Sequence, residues 1–128
     1  MKTPKRKIKD KLEKVVKQIV KIRDNNTCQK CLKKVTGSNC HASHVIPVSR
    51  DGRLAYEIDN LKVLCFHCHI NWWHKHPIES GRWFTTKFEA RYKLIEHMHL
   101  ENQSKGSIDI RWYEEKHEIY KELLDTMV

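Results

Sequence analysis

Residues 40–69 read CHASHVIPVSRDGRLAYEIDNLKVLCFHCH, and His44, Asn60 and His69 fall inside this one stretch. A structural metal site would need only its cysteines. The surplus histidines and asparagine are therefore core residues, surface residues or chemistry. A neutral imidazole takes a proton from water near pH 7. A divalent cation binds a phosphate and stabilises a leaving 3′ oxygen. An Asn carbonyl oxygen and a neutral imidazole nitrogen suit such a cation, so the set as a whole suits phosphodiester hydrolysis. Taken singly, each residue has a plainer reading. A histidine at a strand end is commonly a satisfied core or surface residue, an asparagine before a strand forms a turn, and a histidine after a metal-binding cysteine is an outer hydrogen-bond donor.

Four of the five cysteines form two pairs of equal spacing, Cys28/Cys31 and Cys65/Cys68, with 33 residues between the pairs. In a chain expected to stay reduced, this pattern points to metal and not to disulfides. Four thiolates suit tetrahedral Zn²⁺, which contributes on the order of 10 kcal/mol of folding free energy in small domains. Cys40 and His41 are rival ligands. They are set aside because Cys65 and Cys68 share the spacing of the first pair, which leaves Cys40 as a small core residue. The alternative is four buried free cysteines.

The elements that must position these groups follow from periodicity. Ile8, Leu12, Val15, Val16, Ile19 and Val20 make one stripe of a helix over residues 5–24, with lysines on the other faces. Asn25 and Asn26 end it. A strand over residues 39–47 ends at Pro47, a polar loop covers 48–60, and residues 61–64 form a second strand. Residues 66–76 read as a helix that stops before Pro77. Trp72 and Trp73 would face about 100° apart on it, so both fit a core. His74, five residues after His69, falls off its face and remains a substitute ligand. His41 should face away from His44 across a regular strand. Thr86 to Glu89 has the form of a capping box, opening a helix to about residue 100 with Phe88, Tyr92 and Ile95 on one side. A last helix over 109–127 places Trp112, Ile119, Leu123 and Met127 on one side. His97, His99 and His117 read as ordinary helix residues. The expectation is a single domain over residues 1–128, with a basic helix (1–24), a zinc-stabilised core (25–77) and C-terminal helices (78–128).

The net charge of +9 (pI about 9.4) is concentrated. Residues 1–34 hold 13 Lys/Arg against 3 Asp/Glu, whereas residues 35–128 are nearly balanced. A basic block of this kind fits a polyanion, with a solvated helix face or an anionic membrane surface as the alternatives. Lys5, Arg6 and Lys7 in the block, and Arg50, Arg53, Lys62 and Lys75 around the His/Asn set, suit phosphate contacts. No apolar run approaches the roughly 20 residues of a membrane span. The charged start lacks the apolar stretch of a signal peptide, so the cytosol is the expected compartment.

Together, CQKC, CHASHVIPVSRDG and DNLKVLCFHCH resemble the HNH, or ββα-metal (His-Me finger), endonucleases, in order and spacing, over residues 23–76. The resemblance implies an α+β fold with a zinc-stapled ββα-metal core and flanking helices. It implies a DNA endonuclease that leaves 5′ phosphate and 3′ hydroxyl ends, using structural Zn²⁺ and catalytic Mg²⁺ or Mn²⁺. By position, His44 corresponds to the general base, and Asn60 and His69 to the middle Asn and final His at the catalytic cation. Many members carry Asp or His immediately before the base; here Ser43 stands there. The RDNNTC opening and the Trp- and His-rich end of the stretch are similar to the lambdoid-phage recombination endonucleases of NinG or Rap type. That likeness implies branched DNA and the cytoplasm of a bacterium or phage-infected cell. The competing readings are a non-catalytic zinc-ribbon DNA-binding module and a protein-interaction adaptor. A homodimer through the apolar stripes of the outer helices is a further expectation.

Overall fold

A computed structural model describes residues 1–128. Helix α1 (Pro4–Arg23) opens with Thr3, whose side chain accepts a hydrogen bond from the Arg6 N–H, and with Pro4 in the first turn, where a missing N–H costs nothing. Its buried face is Leu12, Val15, Val16, Ile19 and Val20, the stripe expected from the sequence. Asn25 and Asn26 then adopt positive φ (55° and 47°), reversing the chain into the first cysteine knuckle, closed by a bridge between Thr27 and Lys34. Asparagine tolerates this left-handed conformation better than other side chains with a Cβ.

Strands β1 (His41–His44) and β2 (Leu61–Leu64) pair antiparallel, with His41 opposite Leu64 and His44 opposite Leu61. Every residue of β2 is buried, because α1 packs on it and the segment after the second cysteine pair closes over it. The Val63 N–H donates to the Asp24 carboxylate (2.8 Å), and the Gln29 N–H donates to the Val63 carbonyl (2.9 Å). The end of α1 and the first knuckle thus satisfy the free edge of β2. The Arg23 and Arg91 guanidiniums both donate to the Leu61 carbonyl at the base of the hairpin.

Three expectations are corrected downstream. Residues His67–Trp73 form a π-helical turn in place of an α-helix. A separate helix α2 (Pro77–Lys87) follows, begun by Pro77 and held to the π turn by the Ser80 hydroxyl, which donates to the Trp73 carbonyl (3.0 Å). Thr86 lies inside α2, so the capping box does not form. The break falls at Phe88 (φ −121°, ψ 49°), whose ring packs against Phe84 and Trp83, and α3 (Glu89–Asn102) begins after it. Helix α4 (Ile110–Met127) starts as expected, with Asp109 accepting from the Trp112 N–H. Its buried residues are Tyr113 and Tyr120, while Ile119 and Leu123 are exposed. The face is rotated because the tyrosine rings fill the seam against α1, where Tyr113 meets Tyr56 edge-on and sits under Lys9. No helix is long and apolar enough to cross a membrane.

Candidate active site

The sulfur atoms of Cys28, Cys31, Cys65 and Cys68 all lie within 4.8 Å of one another. Sulfurs about 2.3 Å from a tetrahedral zinc would stand roughly 3.8 Å apart, and Cys31 and Cys65 are 3.9 Å apart. The donor set therefore fits zinc. The first knuckle is shaped by backbone bonds, from the Cys28 N–H to the Lys33 carbonyl (2.9 Å) and from the Leu32 N–H to the Cys28 carbonyl (2.8 Å), with Leu32 at φ 64°. Burial opposes ionisation of Cys28, but the N–H groups of Cys31, Cys65 and Lys30 outweigh it and lower the thiol to about 7. Burial and the crowding of neighbouring thiols push Cys68 the other way. A shared cation would remove that conflict by holding all four sulfurs as thiolates. Cys40 is buried outside this set.

At the other end of the hairpin, His44 sits on the last residue of β1. Its Nε2 lies 3.1 Å from the Ala55 carbonyl. A carbonyl only accepts, so Nε2 carries the proton and Nδ1 keeps a lone pair. Burial, reinforced by Lys62 and Lys17 and opposed by the Ala55 carbonyl, lowers the imidazole below its ordinary value. The ring is therefore neutral at pH 7, the state a general base needs.

Asn60 is fully buried, and its carboxamide makes three hydrogen bonds. The Ile46 N–H donates to Oδ1 (2.8 Å), and Nδ2 donates to the carbonyls of Ile46 and Leu54 (both 3.0 Å). The side chain clamps the two ends of the loop that carries the Ala55 carbonyl. Its oxygen points into the loop and away from solvent, a location the sequence does not reveal.

His69 lies between two other histidines. Its Nδ1 is 2.9 Å from His41 Nδ1, and its Nε2 is 3.0 Å from His74 Nε2. His41 in turn donates from Nε2 to the Ser38 carbonyl (2.8 Å). That carbonyl fixes the direction of the whole chain: neutral rings donate from His69 to His41 and from His74 to His69. The π turn brings His74 into place. Its N–H bonds to the His69 carbonyl five residues back (3.2 Å), so residues five apart share a face. Counting at the α-helical period puts His74 elsewhere. Burial first, then His74 and His41, hold His69 at about 4.

His44, His69 and His74 line one cleft of about 840 Å³, together with Arg50, Trp73 and Arg82. Arg82, on α2, is exposed and carries no sequence signal that marks it. Residues 28–72 match the HNH endonuclease family. No curated protein and no solved structure matches the chain. The HNH match takes in both cysteine pairs, the hairpin, His44, Asn60 and His69. It leaves α1, His74 and the three C-terminal helices outside.

The other expected phosphate contacts divide. Arg50 lines the cleft of His44 and His69. Arg53 lies apart, with Asp51 and His99. Lys75 is exposed beyond the cleft. Lys5 donates to the Ile108 carbonyl (2.8 Å), and Lys7 is exposed on α1. Lys62 corrects the reading: it is fully buried and cannot meet a phosphate. Its ammonium donates to the Ser43 hydroxyl (2.8 Å) and stands 3.2 Å from the centre of the Trp73 ring. It sits opposite Ser43 in the hairpin, on the side that Trp73 closes, so the pairing register takes it inside. His99, expected to be an ordinary helix residue, pairs with the buried Asp51 (2.9 Å) and ties the loop to α3.

Proposed function

We propose that the chain is a metal-dependent DNA endonuclease that hydrolyses phosphodiester bonds in the cleft containing His44. The observation that carries this reading is a single cleft holding an imidazole with a free nitrogen, a facing imidazole pair and two arginines. His44 Nδ1 takes the proton of the attacking water. Ala55, held in place through the Asn60 clamp, keeps the His44 ring in the required tautomer. Arg50 and Arg82 draw the phosphate in. His69 and His74 present two facing nitrogens, which would hold a divalent cation in place of the proton they share. Bound there, Mg²⁺ or Mn²⁺ would supply charge to the leaving 3′ oxygen, giving 5′ phosphate and 3′ hydroxyl products. In this reading Asn60 is a positioning residue and His74 takes the ligand place first expected of it. Zn²⁺ at the four cysteines is structural, and residues 1–128 act as one domain.

The likeness to the phage recombination enzymes makes branched DNA the proposed substrate and the bacterial or phage-infected cytoplasm the proposed setting. The test is a panel of linear, nicked, flap and four-way-junction DNA with Mg²⁺ or Mn²⁺. The expected result is metal-dependent cutting that is strongest on the branched members and abolished by His44→Ala. Binding without cutting under every metal would support the zinc-ribbon module instead. The engagement of both Ser43 and Asn60 within the protein favours that alternative, because it leaves the cation no oxygen ligand from either.

A further inference from the structure

The cations of α1 do not form one cloud. Arg6, Lys9 and Lys17 line a second depression of about 280 Å³, together with Glu13, and His44 forms part of its floor. His44 also lines the main cleft. The imidazole is therefore the saddle between two hollows, one walled by α1 and the other by Arg50 and Arg82. Lys11 and Lys14 are exposed on α1 and line neither hollow.

Glu13 is the one acidic group in the α1 hollow, and Lys17 already pairs with it at 2.8 Å. Arg6 stands 3.7 Å from Asp10, with both side chains substantially exposed. Such exposed pairs are worth little and exchange readily for a phosphate. At 1.5 Å per residue the row from Arg6 to Lys17 runs about 16 Å, enough to follow several phosphates of one strand, which advance about 3.4 Å each along a duplex. A polyanion laid on this row is led to His44, and beyond His44 the next cations it meets are Arg50 and Arg82.

We propose that one DNA strand runs along the Arg6, Lys9 and Lys17 row, crosses His44 and continues between Arg50 and Arg82, making α1 a wall of the catalytic groove. This rests on the endonuclease reading. It adds that α1 places the scissile phosphate and does more than raise the local concentration of DNA.

Two double variants remove the same charge from the same helix, Lys9→Gln with Lys17→Gln, and Lys11→Gln with Lys14→Gln. Lys11 and Lys14 are exposed, whereas Lys9, over the Tyr113 ring, and Lys17, paired with Glu13, are half-buried, so thermal melts verify that both proteins fold. With saturating protein and a single turnover, the first pair should slow cleavage about tenfold, the scale of a misplaced reacting group. The second pair should leave that rate within about twofold and act only on affinity, lowering the salt slope by about 0.9 per lost contact. Equal effects of the two pairs on the saturated rate overturn the proposal. A second measurement needs no cleavage. A photo-crosslinking residue is placed at Lys9 and, separately, at Arg82, with a flap DNA and EDTA present. Crosslinks from both positions to neighbouring nucleotides of one strand support the path, even if the wild-type protein cuts nothing and the endonuclease reading fails. Crosslinks on different strands, or none from Lys9, overturn it even if the protein is a nuclease.

Discussion

One hairpin of two four-residue strands is held by different physics at its two ends. Beside His41 and Leu64, four thiols converge from two knuckles. Beside His44 and Leu61, a single neutral carboxamide makes three hydrogen bonds, and the Val45 N–H adds a bond to the Asn60 carbonyl (2.8 Å). Metal coordination is strong and can be stripped chemically. Neutral hydrogen bonds are worth about 1 kcal/mol each, but their directions fix where groups stand. His44, the proposed base, sits at the hydrogen-bonded end, so strength is supplied at one pole and placement at the other. Between them, the Ser43 and Lys62 rung buries an ammonium against Trp73, and burial with the nearby Arg91 pulls that ammonium well below the usual lysine range.

The comparison breaks most readily at the thiol end. The purified protein is expected to hold one zinc, and stripping it with a strong chelator, or replacing Cys65 with Ser, should remove on the order of 10 kcal/mol and unfold the core. Elemental analysis and circular dichroism check this together; a metal-free protein with an unchanged spectrum would refute it.

Next in size is the proposed base. His44→Ala should slow cleavage by about 10² to 10⁴-fold while leaving zinc content and DNA affinity near wild type. The neutral ring is the active form, and burial with Lys62 and Lys17 lowers its pKa. The rate should therefore hold down to the ordinary imidazole value of about 6.5 and fall only at lower pH. An acid limb above that value would point to another group.

Asn60→Ala separates placement from strength. It leaves the buried Ile46 N–H and the Ile46 and Leu54 carbonyls without their partner, at a cost of about 1–3 kcal/mol for each group left unsatisfied. Urea melts should show the loss while zinc content stays unchanged. Cleavage should fall further than the fraction folded accounts for, because the Ala55 carbonyl moves with the loop. Cleavage that follows the folded fraction alone would make Asn60 purely structural.

The smallest effect concerns the far side of that loop. Burial opposes ionisation of Asp51, but His99, Asn102 and the N–H groups of Leu54 and Arg53 more than offset it, holding the carboxyl below its ordinary value. A group depressed in the folded state stabilises above its unfolded pKa, near 3.9, and loses that contribution as pH falls through the folded value. Wild type should lose urea resistance below about pH 4, and Asp51→Asn should lose less over the same range. Parallel curves would exclude the pair as the cause.

Local chemistry made much of this legible. The α1 stripe, the two knuckles and the paired strands follow from spacing, and the asparagines after α1 follow from their tolerance of left-handed backbone. Lys62 was misread because a lysine beside a candidate site looks like a phosphate ligand until the pairing register shows which side of the strand it takes. Ile119 and Leu123 were misread because hydrophobicity ranks them above Tyr113 and Tyr120, whereas the seam against α1 needed long rings.

By itself the sequence determined which four cysteines cluster and the order strand, loop, strand, followed by a helical segment whose period it misjudged, because equal cysteine spacings and short apolar runs are local properties. It also determined the basic character of α1. Only the tertiary structure decided which groups share a cleft. Residues His67–Trp73 take i to i+5 hydrogen bonds, and that one change of period puts His74 against His69. The packing of α1 across the hairpin turns one of its cationic rows toward His44. Asn60 is drawn inward because two separated backbone segments need its donor and acceptor at once. Each of these depends on distances between residues far apart in the chain, which no local spacing encodes.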